Sequence, residues 1–217
     1  MLYVCLAFSI IIPYLICSIN PAIIAAKIKH GKDIREMGSG NPGLTNTLRT
    51  MGKRAAGLVL LFDVLKGVVS IAVVWGFLYL VGIRFDFGAE LPKNLSVFSW
   101  IAALASVIGH CYPIYYKFKG GKAVLITVAT GLVINWLAAL IALGLFILIV
   151  LLTKYVSLGS VIAATLYAVC TFIFAGEIAG IFCSAIAVLL IFKHKANIKR
   201  LIQGNEKKIR FEKEKQS

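Results

Sequence analysis

Residues 123–153 read AVLITVATGLVINWLAALIALGLFILIVLLT, a run of 31 residues without a charged side chain. As one helix this run would be about 46 Å long, because an α-helix rises about 1.5 Å per residue. The hydrocarbon core of a bilayer is only roughly 30 Å thick. The run therefore predicts either one strongly tilted membrane helix or two shorter helices with a break near residues 131–136, where Gly and Asn interrupt the apolar side chains.

Apolar runs of membrane-spanning length recur along the chain. They cover residues 2–26, 55–83, 95–116, 156–175 and 178–192. The composition is 60% hydrophobic and 15% charged, whereas a soluble domain carries about a quarter charged residues. We therefore predict an all-α membrane protein, and we expect the first run to be a retained span because no basic segment precedes it.

The positions of Lys and Arg distinguish six spans from seven. With seven spans, the inner face would hold seven basic residues in 27–54, three in 117–122, Lys154 and nine after residue 192. Only Arg84 and Lys93 would then lie outside, whereas six spans would put the basic C-terminal tail outside. We therefore predict a bundle of seven transmembrane helices with the N-terminus out and the C-terminus in. Residues 1–204 would form one transmembrane domain, and residues 205–217 a polar, basic cytoplasmic tail.

The net charge of +14 indicates anionic partners. Because the basic residues are confined to short loops and one tail, they favour anionic lipid headgroups and anionic substrates over nucleic acid. Carboxylates on the predicted inner face are few, so we expect no metal site, and no cofactor is implied.

The first predicted inner loop contains GSGNPGLTNTLR, residues 38–49. Its glycines allow backbone N–H groups to approach an anion, and Gly40 and Asn41 belong to this predicted phosphate-binding set. Ser39, Thr45 and Asn46 would add hydrogen bonds, while Arg49 can bind phosphate through two parallel hydrogen bonds. The alternative is an ordinary loop that ends in a helix cap, with Arg49 near the headgroups.

A second inner loop contains GHCYPIYYKFKGGKAV, residues 109–124. Lys119 and Lys122 flank Gly120 and Gly121 at the start of a predicted helix, which is a favourable arrangement for an anion site. The alternative is that the lysines and tyrosines only anchor the ends of the spans at the interface.

A third cluster reads HKANIKRLIQGNE, residues 194–206. If the last helix continues inward, His194 and Asn197 lie three residues apart on one face and could reach one substrate. Histidine suits proton transfer near neutral pH. The alternative is a basic amphipathic segment at the membrane surface. Within the second span, we interpret Asp63 and Lys66 as an ion pair facing the bundle.

Together, in this order, the three stretches resemble the bacterial acyl-phosphate:glycerol-3-phosphate acyltransferase family of membrane enzymes. The resemblance implies transfer of a fatty acyl group from acyl phosphate to the 1-hydroxyl of glycerol 3-phosphate, giving lysophosphatidic acid and phosphate as the first step of phospholipid synthesis. It also implies a site on the cytoplasmic face of a bacterial plasma membrane.

The same resemblance implies roles for individual residues. Ser39, Thr45 and Arg49 would hold phosphate, and the Lys-Gly-Gly-Lys segment would complete the phosphate pocket. His194 and Asn197 would position glycerol 3-phosphate, with either His194 or the substrate's own phosphate as the base. The chain departs from the family pattern at Leu44, and at residues 123–126, where the family has Gly after the lysine.

A membrane transporter of a phosphorylated metabolite is the alternative function. Such a carrier should show repeated halves or polar residues along a path through the membrane. Apart from Asp63 and Lys66, these polar residues are sparse in the spans.

Overall fold

The computed structural model describes residues 1–85 and 91–209, without the side chains of residues 83–85 and 91–96. The predicted outer side chains of Arg84 and Lys93, and residues 210–217 of the predicted tail, lie outside the described residues. The described chain forms α-helices and short 3₁₀ turns, which confirms the all-α prediction. In chain order the α-helices are α1 (Leu2–Ser18), α2 (Pro21–His30), α3 (Leu44–Met51), α4 (Lys53–Phe85), α5 (Leu91–Cys111), α6 (Val124–Ile134), α7 (Trp136–Thr153), α8 (Val156–Lys193) and α9 (Lys195–Ile202).

Within the described residues, five segments are long and apolar enough to cross a bilayer. They are Leu2–His30, Lys53–Gly82, Val97–Tyr116, Trp136–Thr153 and Val156–Lys193. Large apolar side chains such as Phe62 on α4 and Leu152 on α7 are exposed. An apolar surface of this extent is typical of a protein that contacts lipid. The chain is therefore a helical membrane protein.

Asn, Pro and Gly residues mark where the long helices stop or bend. The run of residues 123–153 breaks at Asn135, inside the predicted interval, and the Asn135 side chain caps the start of α7. Pro21 begins α2, where its missing N–H is not needed, and the Asn20 side chain caps that helix. Gly176, with φ 83° and ψ −178°, divides α8 into two helical halves.

Two clusters of buried apolar side chains hold the helices together. The larger joins α1, α4, α5, α6, α7 and α8, and many of its members are alanines. Small side chains allow membrane helices to approach closely, so this composition suits a tightly packed bundle. The smaller cluster joins α2, α3 and the start of α4, and it includes Ile34 and Met51. It therefore holds both ends of the loop that carries the first motif.

The predicted ion pair between Asp63 and Lys66 is present and buried. The Lys66 Nζ atom lies 2.8 Å from Asp63 Oδ1, donates to the carbonyl of Ile19 at 2.7 Å and lies 3.1 Å from His110 Nδ1. An ammonium group can only donate, so His110 Nδ1 accepts the last hydrogen bond. The pair thus connects α4 with the end of α1 and with α5.

Candidate functional site

The buried side chain of Asn46 organises the first motif. Its Oδ1 accepts a hydrogen bond from the Ser39 N–H at 2.8 Å, and its Nδ2 donates to the carbonyl of Met37 at 2.9 Å. Gly38 has φ 59°, and a Cβ there would overlap the Asn46 side chain. Glycine is therefore required at position 38, where both the backbone conformation and the contact with Asn46 exclude a side chain.

In the second motif, the paired glycines fold back against the end of α5. The Gly120 N–H donates to the carbonyl of Cys111 at 3.2 Å, and the Gly121 N–H donates to the carbonyl of His110 at 3.1 Å. A Cβ at Gly121 would overlap the His110 ring. The two N–H groups are therefore already used within the protein, and the glycines permit close packing.

Lys119 is exposed, and its carbonyl accepts a hydrogen bond from the Arg35 guanidinium at 3.0 Å. The same guanidinium pairs with Asp33 at 2.7 Å. Its hydrogen bond to the Asp33 side chain is the main cause that holds the pKa of that carboxyl below its ordinary value. Arg35 thus ties the second loop to the segment that precedes the first motif.

A chain of hydrogen bonds joins the second motif to the third. Lys122 Nζ donates to Asn197 Oδ1, and Asn197 Nδ2 donates to Glu206 Oε1 at 2.6 Å. Arg200 Nε lies 2.7 Å from the other oxygen of this carboxylate. The Ser157 hydroxyl also donates to Glu206 Oε1, at 2.8 Å. Glu206 therefore connects both motifs with the start of α8.

The central position of Glu206 was missed in the sequence, where it was only part of the third pattern. The sequence offered one signal for this role, because Glu206 is the single carboxylate in the basic stretch of residues 194–206. Burial opposes its ionisation, but hydrogen bonds from Asn197, Arg200 and Ser157 outweigh burial, so the pKa of Glu206 lies below its ordinary value. Beyond it, the Ile209 N–H donates to the carbonyl of Lys154 at 2.9 Å. The described start of the predicted tail thus packs against the helices.

His194 is buried at the end of α8, with its Nδ1 atom 2.8 Å from the carbonyl of Leu190. A carbonyl only accepts, so we assign the ring proton to Nδ1, which leaves Nε2 with a lone pair. Burial, together with repulsion from Lys122, lowers the pKa of His194 to about 4. The imidazole is therefore neutral at physiological pH.

Burial also lowers the pKa of Lys122, to about 8. Attraction to Glu206 opposes this shift, whereas repulsion from Arg200 and Lys193 adds to it. The Lys122 ammonium is consequently charged at neutral pH but loses its proton far more readily than an exposed lysine.

The three motifs meet at one cavity of about 650 Å³. Nine predicted site residues line it, namely Ser39, Gly40, Asn41, Thr45, Asn46, Arg49, Lys122, His194 and Asn197. Lys119, Gly120 and Gly121 do not line this cavity in the described part of the chain. Away from the polar end, apolar side chains of α6, α7 and α8 form the wall, among them Leu125, Leu143 and Phe146.

Cations outnumber carboxylates around the cavity. The basic side chains in its lining are Arg49, Lys122, Lys193, Arg200 and Lys207, against the acidic Asp63 and Glu206. Asp63 is paired with Lys66, and among the described residues Arg49 is exposed without an ion-pair partner. A cationic end and an apolar interior suit an amphiphile with an anionic headgroup.

The fold and this cavity define an integral membrane protein with a cavity that has a cationic end and an apolar interior. The chain belongs to the glycerol-3-phosphate acyltransferase family, whose sequence profile matches residues 7–204. It is 40% identical to the glycerol-3-phosphate acyltransferase of Thermoanaerobacter sp. (strain X514), over 92% of this chain and 93% of that protein. It is also 40% identical to the one from Clostridioides difficile (strain 630), over 94% of this chain and 95% of the relative.

Two crystal structures of PlsY, an integral membrane glycerol 3-phosphate acyltransferase, share the fold. The glycerol 3-phosphate form superposes with a TM-score of 0.77 and 33% identity, and covers 94% of this chain and 96% of its own. The lysophosphatidic acid form superposes with a TM-score of 0.74 and 30% identity, over 94% and 95% of the two chains. The resemblance stated from the three motifs is thereby confirmed at the level of the family.

Ala123 yields a test of the local backbone at the site. It precedes α6 with φ 57°, is buried, and lines the cavity. Left-handed backbone is unfavourable for residues with a Cβ, so we expect Ala123→Gly to stabilise the protein by about 1 kcal/mol. The melting temperature of the purified protein in detergent should rise for this variant. It should fall for Ala123→Val, whose branched side chain tolerates this conformation least. A lower melting temperature for Ala123→Gly would mean that the buried methyl group outweighs the strain.

Proposed function

We propose that this protein transfers a fatty acyl group from an acyl phosphate to the 1-hydroxyl of glycerol 3-phosphate, producing lysophosphatidic acid and inorganic phosphate. Family membership identifies it as an acyltransferase that acts on glycerol 3-phosphate. The observation that carries the proposal further is the convergence of three motifs on one cavity with a cationic end and an apolar interior. An acyl phosphate needs both environments, because its headgroup is anionic and its chain is apolar.

The residues at the polar end divide into two groups for the two substrates. Arg49 is exposed, has no ion-pair partner among the described residues and carries a planar fork that matches phosphate. We assign it to a phosphate group together with Ser39 and Thr45. Lys122 and Asn197 are already joined by a hydrogen bond, and we assign them with His194 to glycerol 3-phosphate.

The reaction needs alignment more than activation. The hydroxyl oxygen of glycerol 3-phosphate forms an ester bond with the acyl carbonyl carbon, and the bond from that carbon to the phosphate oxygen breaks. The hydroxyl proton passes to a base, and the phosphate leaves as inorganic phosphate. An acyl phosphate is already an activated donor, so the cations serve to align two anions and offset their repulsion.

The pKa of His194 bears on the identity of the base. At about 4 it lies below the second pKa of a phosphate monoester, which is near 6. A phosphate dianion in solution is therefore a stronger proton acceptor than the His194 ring of the unliganded site. This comparison favours the substrate's phosphate as the base, with the neutral His194 ring fixing the position of the hydroxyl through Nε2.

The same proposal includes seven membrane crossings with the three motifs on the cytoplasmic face. Support comes from the break at Asn135, which separates α6 from α7, and from the bend at Gly176, which divides α8 into two halves. Residues 123–153 and α8 therefore supply four helical segments. With the C-terminus inside, as the basic residues predict, all three motifs share one face.

Labelling with a membrane-impermeant thiol reagent tests this orientation. Lys117 and Glu177 are both exposed, whereas all five native cysteines are buried. In intact cells, Glu177→Cys should react and Lys117→Cys should react only after the membrane is opened. Equal labelling of the two variants in intact cells would contradict the orientation.

A donor assay tests the chemistry. The purified protein should release phosphate from palmitoyl phosphate only when glycerol 3-phosphate is present, and it should not use palmitoyl thioesters. Arg49→Ala should lower kcat/KM roughly 100-fold, because it removes charged hydrogen bonds to phosphate. Arg54→Ala is the matched control, because Arg54 is an exposed arginine at the start of α4 that does not line the cavity. Phosphate release without glycerol 3-phosphate, or full activity of Arg49→Ala, would defeat the assignment.

Lys122 predicts a dependence on pH. Its pKa is lowered to about 8, so its cation is present below this pH and lost above it. The kcat/KM for glycerol 3-phosphate should therefore decline as the pH rises through about 8. In Lys122→Arg this decline should disappear at whatever activity remains, because a guanidinium stays charged. An unchanged alkaline decline in Lys122→Arg would assign the titration to another group.

A further inference from the structure

We infer that Ala139 and Tyr167, with the Tyr167 ring packed against Gly131, form a floor that limits the length of the acyl chain the cavity accepts. The inference rests on the proposed function, since it takes the apolar part of the cavity as the site of the acyl chain. It adds the residues that determine chain-length specificity.

The cavity lining ends close to the place where Tyr167 of α8 packs against α6 and α7. On α8 it follows one face from Ser157 to Ser160 and ends at Tyr167, ten residues deeper than Ser157 or about 15 Å along the helix. On the antiparallel α7 the deepest lining residue is Ala139, and on α6 it is Val128.

Direct contacts between these helices close the cavity at that depth. A Cβ placed on Gly131 would lie 2.9 Å from the Tyr167 hydroxyl and 3.3 Å from the Cβ of Ala139. The Tyr167 ring therefore fits against the backbone of α6 with no room for a larger residue. Tyr167 is 5% exposed and Ala139 is 4% exposed, so both belong to the packed core. Core side chains of this kind keep fixed positions, and the floor does not yield to a longer chain.

The wall above the floor is built for an apolar chain. Ala142 on α7 and Ala163 and Ala164 on α8 are small residues facing the cavity. They leave space between the helices without offering a hydrogen bond. With the carbonyl group beside Asn197, the methyl end of an extended chain would point toward Tyr167. Each methylene that finds no place in the cavity forfeits roughly a fourfold gain in affinity.

The experiment measures kcat/KM for a series of saturated acyl phosphates from octanoyl to stearoyl, with glycerol 3-phosphate as acceptor. Tyr167→Ala removes the floor and should shift the preference toward longer chains. Ala139→Leu raises the floor and should shift it toward shorter chains, by roughly fourfold for each excluded methylene. Ala142→Leu, one turn nearer the polar end, should shift it toward shorter chains still.

Ala168→Leu is the matched control, because Ala168 follows Tyr167 on α8 and is buried outside the cavity lining. Its order of preference should equal that of the native protein, even if its overall activity falls. An unchanged order in Tyr167→Ala, Ala139→Leu and Ala142→Leu, or shifts of all three in one direction, would overturn the inference. If the native protein uses no acyl phosphate of any length, the proposed donor is wrong. This result comes from the native protein alone, so it is distinguished from a failure of the inference about the floor.

Discussion

The site depends on the partly buried carboxylate of Glu206, whose negative charge offsets the positive charges of nearby basic side chains. Glu206 accepts hydrogen bonds from Asn197, Arg200 and Ser157, and through Asn197 it reaches Lys122. Charged hydrogen bonds of this kind are short and strong, and removing one partner leaves an uncompensated charge. One side chain thus fixes the distance between two motifs that would otherwise repel each other. Among the described residues, Arg49 lines the cavity, is exposed and has no ion-pair partner, so it can meet an incoming anion.

The loops around this centre are held by hydrogen bonds from polar side chains of the protein itself. Asn46 holds the first motif through hydrogen bonds with the backbone of Ser39 and Met37. Arg35 holds the second loop by donating to two of its backbone carbonyls. Asn20, which caps α2, also donates to the carbonyl of Pro42 at 3.2 Å. Such preorganisation suits a site that binds an anion, because the cost of arranging the site is met during folding. The motifs therefore combine residues that face the cavity with residues that keep them in place.

The sequence alone predicted the parts of the structure that depend on local pattern. The helical class, the break at Asn135 and the Asp63–Lys66 pair all follow from apolar runs, capping residues or a spacing of three, and the structure contains each of them. Nine of the twelve site residues predicted from the motifs line the cavity. What could not be predicted were pairings across distant parts of the chain. Lys122 and Asn197 are 75 positions apart, and no local rule indicates that they meet.

Because such distant pairings are hidden in the sequence, the paired glycines of the second motif were assigned to phosphate. A Gly-Gly sequence beside lysines looks the same whether its N–H groups face a ligand or a helix end. Only the position of His110 beneath Gly121 decides between them. The carboxylate of Glu206 was underestimated because its partners come from two separate segments, α9 and the start of α8.

The position of Glu206 after the last long helix has a consequence for biosynthesis. While the ribosome is still producing α8, the cations of the earlier motifs are already in place at the membrane surface without their counter-charge. The hydrogen bonds that join Lys122, Asn197 and Glu206 can form only after residue 206 has left the ribosomal exit tunnel, so the earlier helices are synthesised before this network exists.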